Sequence, residues 1–333
     1  MGKRRIRCLK RLGFSDIHGY DPRKDRCKEV TKKYSVSTVS NWDSAKKIAV
    51  DTWIISAPPD HHMNYAFQAV DLGKHFFTEA NIPDESMNNL IDALAHTDII
   101  GVPSCTMRYY EGVKKIKELV NGGAIGKPLF FVYHWGQHLS TWHEYENYQD
   151  FYVSKRETGA CREIVPFELV WLEDIFGNIE TISCMKGKLS NLDADIDDIY
   201  QLQMKFDTGI MGSLIVEVFS QPAVNVIRVV GTEGSMFFDQ HANTFKLYKT
   251  KDQKWIEVVL DRGIVEEGYL YAEEPYIEEM KDFIEEILGE GKYQYTFSDD
   301  LKILELLKNA EISAEKGLHF QRIQNNKLTS IKG

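Results

Sequence analysis

Short apolar runs alternate with amphipathic helical stretches through the first hundred residues, and this alternation constrains the fold more than any other feature. Residues 6–12 read as helix, 16–20 as strand and 23–34 as helix. Residues 53–56 form a strand closed by Ala57-Pro58-Pro59, and the helix over 63–72 stops at Gly73, the residue that ends helices without strain. Strand 75–78, helix 87–96 and strand 99–102 continue the series. Strand and helix in regular alternation predict βαβ units around a parallel sheet, wound in the right-handed sense.

The pattern changes after Tyr110. A helix over 113–120 ends at Asn121-Gly122-Gly123, and 130–133 is a strand. A long polar and aromatic loop then precedes a helix over about 163–176. Strands rich in β-branched and aromatic residues follow at 179–188, 199–206, 212–219, 224–230 and 235–238, joined by turns such as Asp207-Thr208-Gly209. They predict a largely antiparallel sheet. Helices over 276–288 and 298–316 close the chain. The expected organisation is therefore two domains, 1–108 and 109–333.

Length and charge narrow the function. A chain of 333 residues exceeds one ordinary core, and 43% hydrophobic with 27% charged residues is a globular balance. A formal charge of -10 argues against nucleic acid as partner, because phosphates demand a basic surface. No apolar run approaches the ~20 residues of a membrane span. Met1-Gly2-Lys3-Arg4-Arg5 is basic, but no signal-peptide core follows. Cys8, Cys27, Cys105, Cys161 and Cys184 show no metal or redox spacing and read as reduced, buried small hydrophobes in a cytoplasmic protein. No metal is expected.

Gly2 ahead of an apolar helix reads as the tail of a G-x-G-x-x-G loop, whose glycines let the backbone approach a pyrophosphate at the helix N-terminus. The first strand and most of that loop are missing from the sequence, which an initiation site placed too late would explain. Asp21 stands at the end of the next strand, where a carboxylate accepts from ribose hydroxyls. Arg23, two residues on, suits a 2′-phosphate instead, so NAD is favoured over NADP without excluding it. Asp21 before Pro22 is also a plain turn former. Ser56-Ala57-Pro58-Pro59-Asp60-His61-His62 closes a parallel strand where ligands bind in open α/β sheets, or is a Pro-rich turn with Asp60 as N-cap. Glu79 and Asn81 end the next strand at the same edge, and residues 104–108 the one after. Three consecutive polar strand ends mark one cleft.

These segments, in this order, together with Gly73-Lys74-His75-Phe76-Phe77-Thr78-Glu79, Met107-Arg108-Tyr109, Thr158-Gly159-Ala160, Trp171-Leu172-x-x-Ile175-Phe176-Gly177 and Val229-Val230-Gly231-Thr232-Glu233-Gly234, resemble the glucose–fructose oxidoreductase / inositol dehydrogenase / MocA family. The resemblance implies an N-terminal Rossmann domain, here without its first strand, and a C-terminal α+β domain with a large open sheet. It implies NAD or NADP as cofactor, hydride transfer at a hydroxyl or keto carbon of a sugar, nucleotide sugar or cyclitol, and a homodimer or homotetramer packed through the open sheets. Gly2, Asp21, Arg23, Ser56, Pro58, His62, Glu79 and Asn81 become the candidate cofactor residues.

The chain departs from the family at two proton-handling positions. The Glu-Lys-Pro triplet is Glu79-Ala80-Asn81, without lysine, and the helical Asp-x-x-x-His is matched by Glu163 and Phe167. Hydride transfer needs a group to take the hydroxyl proton, so a replacement must come from elsewhere: Glu163, Lys155 or Tyr152 as catalytic candidates, with Glu168, His138 and His143 behind them. A non-catalytic binding protein on the same scaffold is the alternative. Arg108, Trp142, His138 and Glu168 are candidate substrate contacts. The aromatic loop holding Trp135, Trp142, Tyr145, Tyr148, Phe151 and Tyr152 suits stacking on sugar C–H faces, or anchors a loop or an oligomer interface. Asp195, Asp197 and Asp198 read as solvated turn carboxylates.

Overall fold

The structure is a computed structural model and describes residues 1–142, 147–261, 263–266, 271–317 and 321–322. The chain divides into two compact units: Met1–Tyr109 with Gly263–Asp300, and Tyr110–Arg262 with Leu301–Gly333. The division is thus not two consecutive segments, because residues 263–300 belong with the first unit.

In the first unit the elements are α1 (Gly2–Arg11), β1 (His18–Tyr20), α2 (Lys24–Tyr34), β2 (Ser37–Val39), α3 (Trp42–Ala45), β3 (Thr52–Ile55), α4 (His62–Asp71), β4 (His75–Thr78), α5 (Met87–Leu94) and β5 (Gly101–Pro103). Every ladder is parallel, as the alternation predicts. The strands make two sheets, β1-β2 and β3-β4-β5. In a doubly wound sheet the first strand lies between these two groups, so the fold is a Rossmann sheet without that strand. Aromatic packing spans the two: the Trp42 ring centroid is 5.0 Å from Tyr20 on β1 and 5.3 Å from Trp53 on β3. Sequence reading passes over β2 and α3, because three and four residues are too few to show a period.

Charge explains why 263–300 returns to this unit. α1 buries Arg4 and Arg5, and buried guanidinium groups require partners. α8 (Glu274–Leu288, numbered in chain order) and the residue before it supply them: Arg5 pairs with Glu279, and Arg4 and Arg7 pair with Glu273.

The second unit contains α6 (Glu111–Asn121), β6 (Pro128–Gly136), α7 (Cys161–Phe176), β7 (Ile179–Gly187), β8 (Ile199–Phe206), β9 (Met211–Glu217), β10 (Val224–Gly231), β11 (Gly234–Asp239), β12 (Thr244–Lys249) and β13 (Lys254–Val258). α9 (Phe297–Glu315) crosses the unit boundary and β14 (Gln321–Arg322) ends the described chain. One nine-stranded sheet runs β13-β12-β11-β10-β6-β9-β8-β7-β14. It is antiparallel except at the central β6–β9 pair. β12 and β13 escape sequence reading because Lys246, Lys249, Lys254 and Glu257 give them the polarity of a loop.

Along β6 the period of two is plain: Phe131, Tyr133 and Trp135 are buried, whereas Phe130 and Val132 are exposed. The buried face meets α7, with Phe131 stacked on Phe176 at 4.8 Å. The opposite face keeps Phe130, Val132, Met211, Met185 and Trp255 exposed, so the sheet is open on one side. Asp198 corrects the reading of a solvated turn: it is fully buried and accepts from the Leu189 and Ser190 N–H groups and the Ser190 hydroxyl. Asp197 is held by Lys186 and Arg156. All five cysteines are buried and free. Among the described residues no helix is long and apolar enough to cross a membrane, and no group of His, Cys, Asp or Glu is arranged to hold a metal ion.

Candidate functional site

Each unit carries its own polar constellation. In the first, parallel strands bring polar residues to their carboxyl ends by the same geometry that orders the strands. A Cβ built on Gly2 would lie 3.8 Å from the Ser56 Cβ, with nothing nearer. The start of α1 therefore sits at the carboxyl end of β3, where a doubly wound fold binds pyrophosphate. No side chain caps α1 and no acidic residue stands in its first turn; the Glu79 carboxylate is the negative protein charge that acts on the Met1 amino group at this end.

Asp21 follows β1 and is half-buried. Its Oδ1 accepts the Arg23 N–H at 2.8 Å, while Oδ2 lies 4.0 Å from Arg26. The Arg23 guanidinium turns to Asp25 at 2.6 Å. Asp21 thus serves as turn former and still presents a carboxylate oxygen at the strand end. These residues fit the ribose and pyrophosphate of a dinucleotide.

Glu79 is placed differently from its sequence-based expectation. Arg5 donates through Nε and Nη2 to the two Glu79 oxygens at 2.8 Å each, and the Ser56 hydroxyl adds a bond at 2.9 Å. Both carboxylate oxygens are committed inside the protein. Burial opposes the charge, yet the Arg5 guanidinium holds Glu79 below the ordinary carboxylate range. Arg5 also meets Glu279 at 2.8 Å, and Glu279 accepts from Ser104, Thr106 and the Cys105 N–H. The polar residues after β5 are therefore tied to α8. Arg108 donates to the Gln294 carbonyl and lies 4.8 Å over the Tyr295 ring.

His62 and Asn81 are brought together, 3.0 Å apart, and both are buried. His62 Nε2 lies 2.9 Å from the Ala57 carbonyl oxygen, across the turn opened by Pro58. Burial pushes the His62 imidazole below its usual range. Asn81 continues to Asp300 at 2.7 Å. Sequence reading missed Arg5, Glu279 and Asp300. The basic run after Gly2 carried a signal for Arg5, because charge on the buried face of a helix demands partners; nothing local marks the other two.

In the second unit Tyr152 donates to Glu163 Oε1 at 2.9 Å. The backbone explains the meeting. Gly159 has no side chain because a Cβ there would sit 2.3 Å from the Val153 backbone. That approach seats the Tyr152–Ser154 turn against the start of α7, and Thr158 Oγ1 donates to the Tyr152 carbonyl at 2.8 Å. Ala160, just before α7, adopts φ 56°, a left-handed conformation costing on the order of 1–3 kcal/mol for a residue with a Cβ. Glu163 Oε2 is inaccessible to solvent and has no hydrogen-bond partner among the described residues. Burial raises the Glu163 carboxyl to about 7 against the Tyr152 bond, which lowers it.

The remaining candidates separate. Lys155 is exposed. His138 bonds Ser140 and caps the turn Leu139–Thr141. Trp142 donates to the Gln137 carbonyl and meets Trp135 edge-on, which is loop anchoring. His143 and Tyr145 lie outside the described residues. Glu168 is 1% exposed, midway along α7 in the core, and accepts from Trp171 Nε1 at 2.6 Å and the Tyr133 hydroxyl at 2.8 Å. That burial leaves no surface for a substrate contact and places Glu168 beyond the first turn, where a helix dipole would favour it.

Comparison with known proteins accords with this architecture. Residues 113–237 match the GFO/IDH/MocA C-terminal domain. An uncharacterized oxidoreductase of Streptococcus pneumoniae is 23% identical over 194 residues, covering 56% of this chain and 51% of its own length. Oxidoreductase P35 of Formosa agariphila is 22% identical over 189 residues, covering 50% of this chain and 56% of its own. The chain thus spans about half the length of the curated relatives it matches. Among solved structures, an oxidoreductase from Agrobacterium radiobacter in complex with NAD+, L-tartaric acid and magnesium superposes with TM-score 0.84 at 14% identity, covering 96% of this chain and 95% of that one. Levoglucosan dehydrogenase in complex with NADH gives TM-score 0.82 at 19% identity, over 97% and 96%. These likenesses show the fold, and the family resemblance read from the sequence is borne out.

Proposed function

We propose, from a chain whose residues 113–237 match the GFO/IDH/MocA C-terminal domain, that the protein is an NAD-dependent oxidoreductase acting on a hydroxyl or keto carbon of a sugar, nucleotide sugar or cyclitol. The observation that carries this reading is Glu163: a carboxyl raised to about 7, with one oxygen on Tyr152 and the other buried without a partner among the described residues. An unmatched acceptor is costly to maintain in a structure, and a substrate hydroxyl would satisfy it. NAD, when bound, takes the hydride or returns it. Asp21 would accept from its ribose hydroxyls, the start of α1 with Gly2 would meet its pyrophosphate, and Ser56 and Pro58 would border it at the end of β3. Arg23 turns away to Asp25, which favours NAD over NADP.

The residues' own part is the proton. Glu163 in its ionised form accepts the hydroxyl proton on Oε2 as the carbon loses hydride, and in reduction returns it. Tyr152 holds the carboxyl in place and shares its charge. Lys155 is an exposed contributor at the same loop, and Arg108 a candidate contact for an anionic substituent. The open sheet face supports assembly into a homodimer or homotetramer.

The test is titration of the purified protein with NADH, followed by its fluorescence, then turnover on a panel of sugars and cyclitols with NAD. Glu163→Gln should retain cofactor binding and lose roughly 10²–10⁴-fold in kcat. In the oxidative direction, kcat/KM should rise through about pH 7 as Glu163 ionises. Unchanged NADH fluorescence at saturating protein would sink the proposal. Binding without turnover on any substrate would favour the second reading, a ligand-binding protein, which Ala80 and Phe167 support because neither side chain moves a proton.

A further inference from the structure

The buried chain His62–Asn81–Asp300 constrains where its protons sit. His62 Nε2 is 2.9 Å from the Ala57 carbonyl oxygen, so Nε2 must carry hydrogen. His62 Nδ1 faces the Asn81 amide at 3.0 Å, and the other end of that amide is 2.7 Å from Asp300 Oδ2 and 3.2 Å from Thr78 Oγ1. The Tyr295 hydroxyl donates to Asp300 Oδ1 at 2.9 Å. All of these side chains are at most 5% exposed, so the hydrogen bonds they need must come from the groups around them. The Asn81 amide can sit either way round, because its oxygen and nitrogen occupy nearly the same space.

Two arrangements close every bond. In one, His62 is protonated on both nitrogens, Nδ1–H donates to Asn81 Oδ1, and Asn81 Nδ2 donates to an ionised Asp300. In the other, the amide is reversed: Asn81 Nδ2 donates to the Nδ1 lone pair of a neutral His62, and a protonated Asp300 donates to Asn81 Oδ1. The Thr78 hydroxyl rotates to accept in the first and donate in the second, and Tyr295 donates in both. Between them one proton leaves His62 Nδ1 and one arrives on Asp300 Oδ2, with no change in net charge. The mixed states fail. Neutral His62 with ionised Asp300 sets either two oxygens face to face at 2.7 Å or a nitrogen lone pair against the Ala57 carbonyl. Imidazolium with protonated Asp300 buries an unbalanced positive charge.

We infer that Asn81 is a positioning residue that makes His62 and Asp300 share a single proton across its reversible amide, fixing the turn after β3 to the end of β4 and the first turn of α9. The pair behaves as one neutral unit. Its charged and titratable surroundings are Asp60 and Glu79 on the His62 side, and Asp299, Tyr295 and Arg108 beyond Asp300. Burial disfavours the charged form of both groups, lowering His62 and raising Asp300, the direction of the arrangement with both neutral. The inference rests on geometry within the first unit and stands whether or not the protein turns over a substrate.

The experiment is NMR of the full chain, reading both His62 ring nitrogens and the Asp300 side-chain carbon across roughly pH 5 to 8. The expected result is a neutral ring protonated at Nε2 with a protonated Asp300 carboxyl, and no titration step at either. An imidazolium paired with an ionised Asp300 also satisfies one shared proton. A neutral ring beside an ionised Asp300, an imidazolium beside a protonated Asp300, or independent titration of the two overturns the inference. Asp300→Asn, whose amide can donate to Asn81 Oδ1, should lock His62 neutral with hydrogen on Nε2. An imidazolium in that variant at neutral pH also overturns it.

Discussion

Replacing Glu168 by glutamine isolates the cost of a carboxylate in the core of the second unit. Glu168 is 1% exposed, and burial raises its carboxyl from 4.5 to about 7, against the lowering effect of bonds from Trp171 and Tyr133. The folded protein therefore holds a proton that the unfolded chain gives up at about its ordinary value. Between these values the native state binds more protons, so stability falls as pH rises. The contribution is whole below about pH 4.5 and is lost as pH passes through about 7. A shift of about 2.5 units at 1.36 kcal/mol each amounts to about 3 kcal/mol. Glutamine keeps the acceptor for Trp171 and Tyr133 and cannot ionise, so its own packing offset is independent of pH. Urea unfolding followed by circular dichroism at about pH 4.5, 6 and 8 should show the variant gaining about 3 kcal/mol on the wild type from the lowest to the highest pH. Glu163 and every other titrating group cancel in the difference. Stability curves that stay parallel across this range would refute the reasoning, because they would mean Glu168 ionises inside the fold at no cost.

Arg5→Met should cost roughly 3–5 kcal/mol in thermal or urea unfolding, because it leaves Glu79 and Glu279 as buried carboxylates without their cation; adding Glu79→Gln and Glu279→Gln should recover much of the loss. Gly159→Ala puts a Cβ 2.3 Å from the Val153 backbone, so about 1–3 kcal/mol of stability should go, with turnover falling further as Tyr152 leaves Glu163. Val132→Glu on the open sheet face should leave the circular dichroism spectrum intact and lower the mass found by light scattering, if that exposed face joins copies of the chain.

The sequence revealed the elements that are long or periodic. Helix and strand existence followed from the change of period after Tyr110, and β6 shows why: Phe131, Tyr133 and Trp135 alternate with Phe130 and Val132 along nine residues. β2 and α3 are too short for such a signal, and β12 and β13 hide it beneath lysines. The division of the chain was less legible. Assigning 263–300 to the first unit requires knowing that Arg4, Arg5 and Arg7 point at Glu273 and Glu279, a long-range pairing no local pattern announces. The Tyr152–Glu163 contact was half-visible, since both residues are of the right chemistry, but their meeting depends on Gly159 allowing one backbone segment to lie on another.

The two positions where the chain differs from the family it resembles bear on the proposed chemistry through their neighbours. Ala80 lies between Glu79, committed to Arg5 and Ser56, and Asn81, committed to His62 and Asp300. Neither flanking side chain is available to take over a lysine's work, and altering either would break a buried network. Under the proposed hydride chemistry the proton acceptor comes from another part of the chain. Phe167 cannot supply it, but Glu163 stands four residues earlier on α7, on the same helix face, with a carboxyl raised to about 7 and an oxygen unmatched among the described residues. If turnover exists and survives Glu163→Gln undiminished, Glu163 is not the proton acceptor and another group takes that role; if cofactor binds and no substrate is turned over, the ligand-binding reading replaces the enzymatic one as the account of this scaffold.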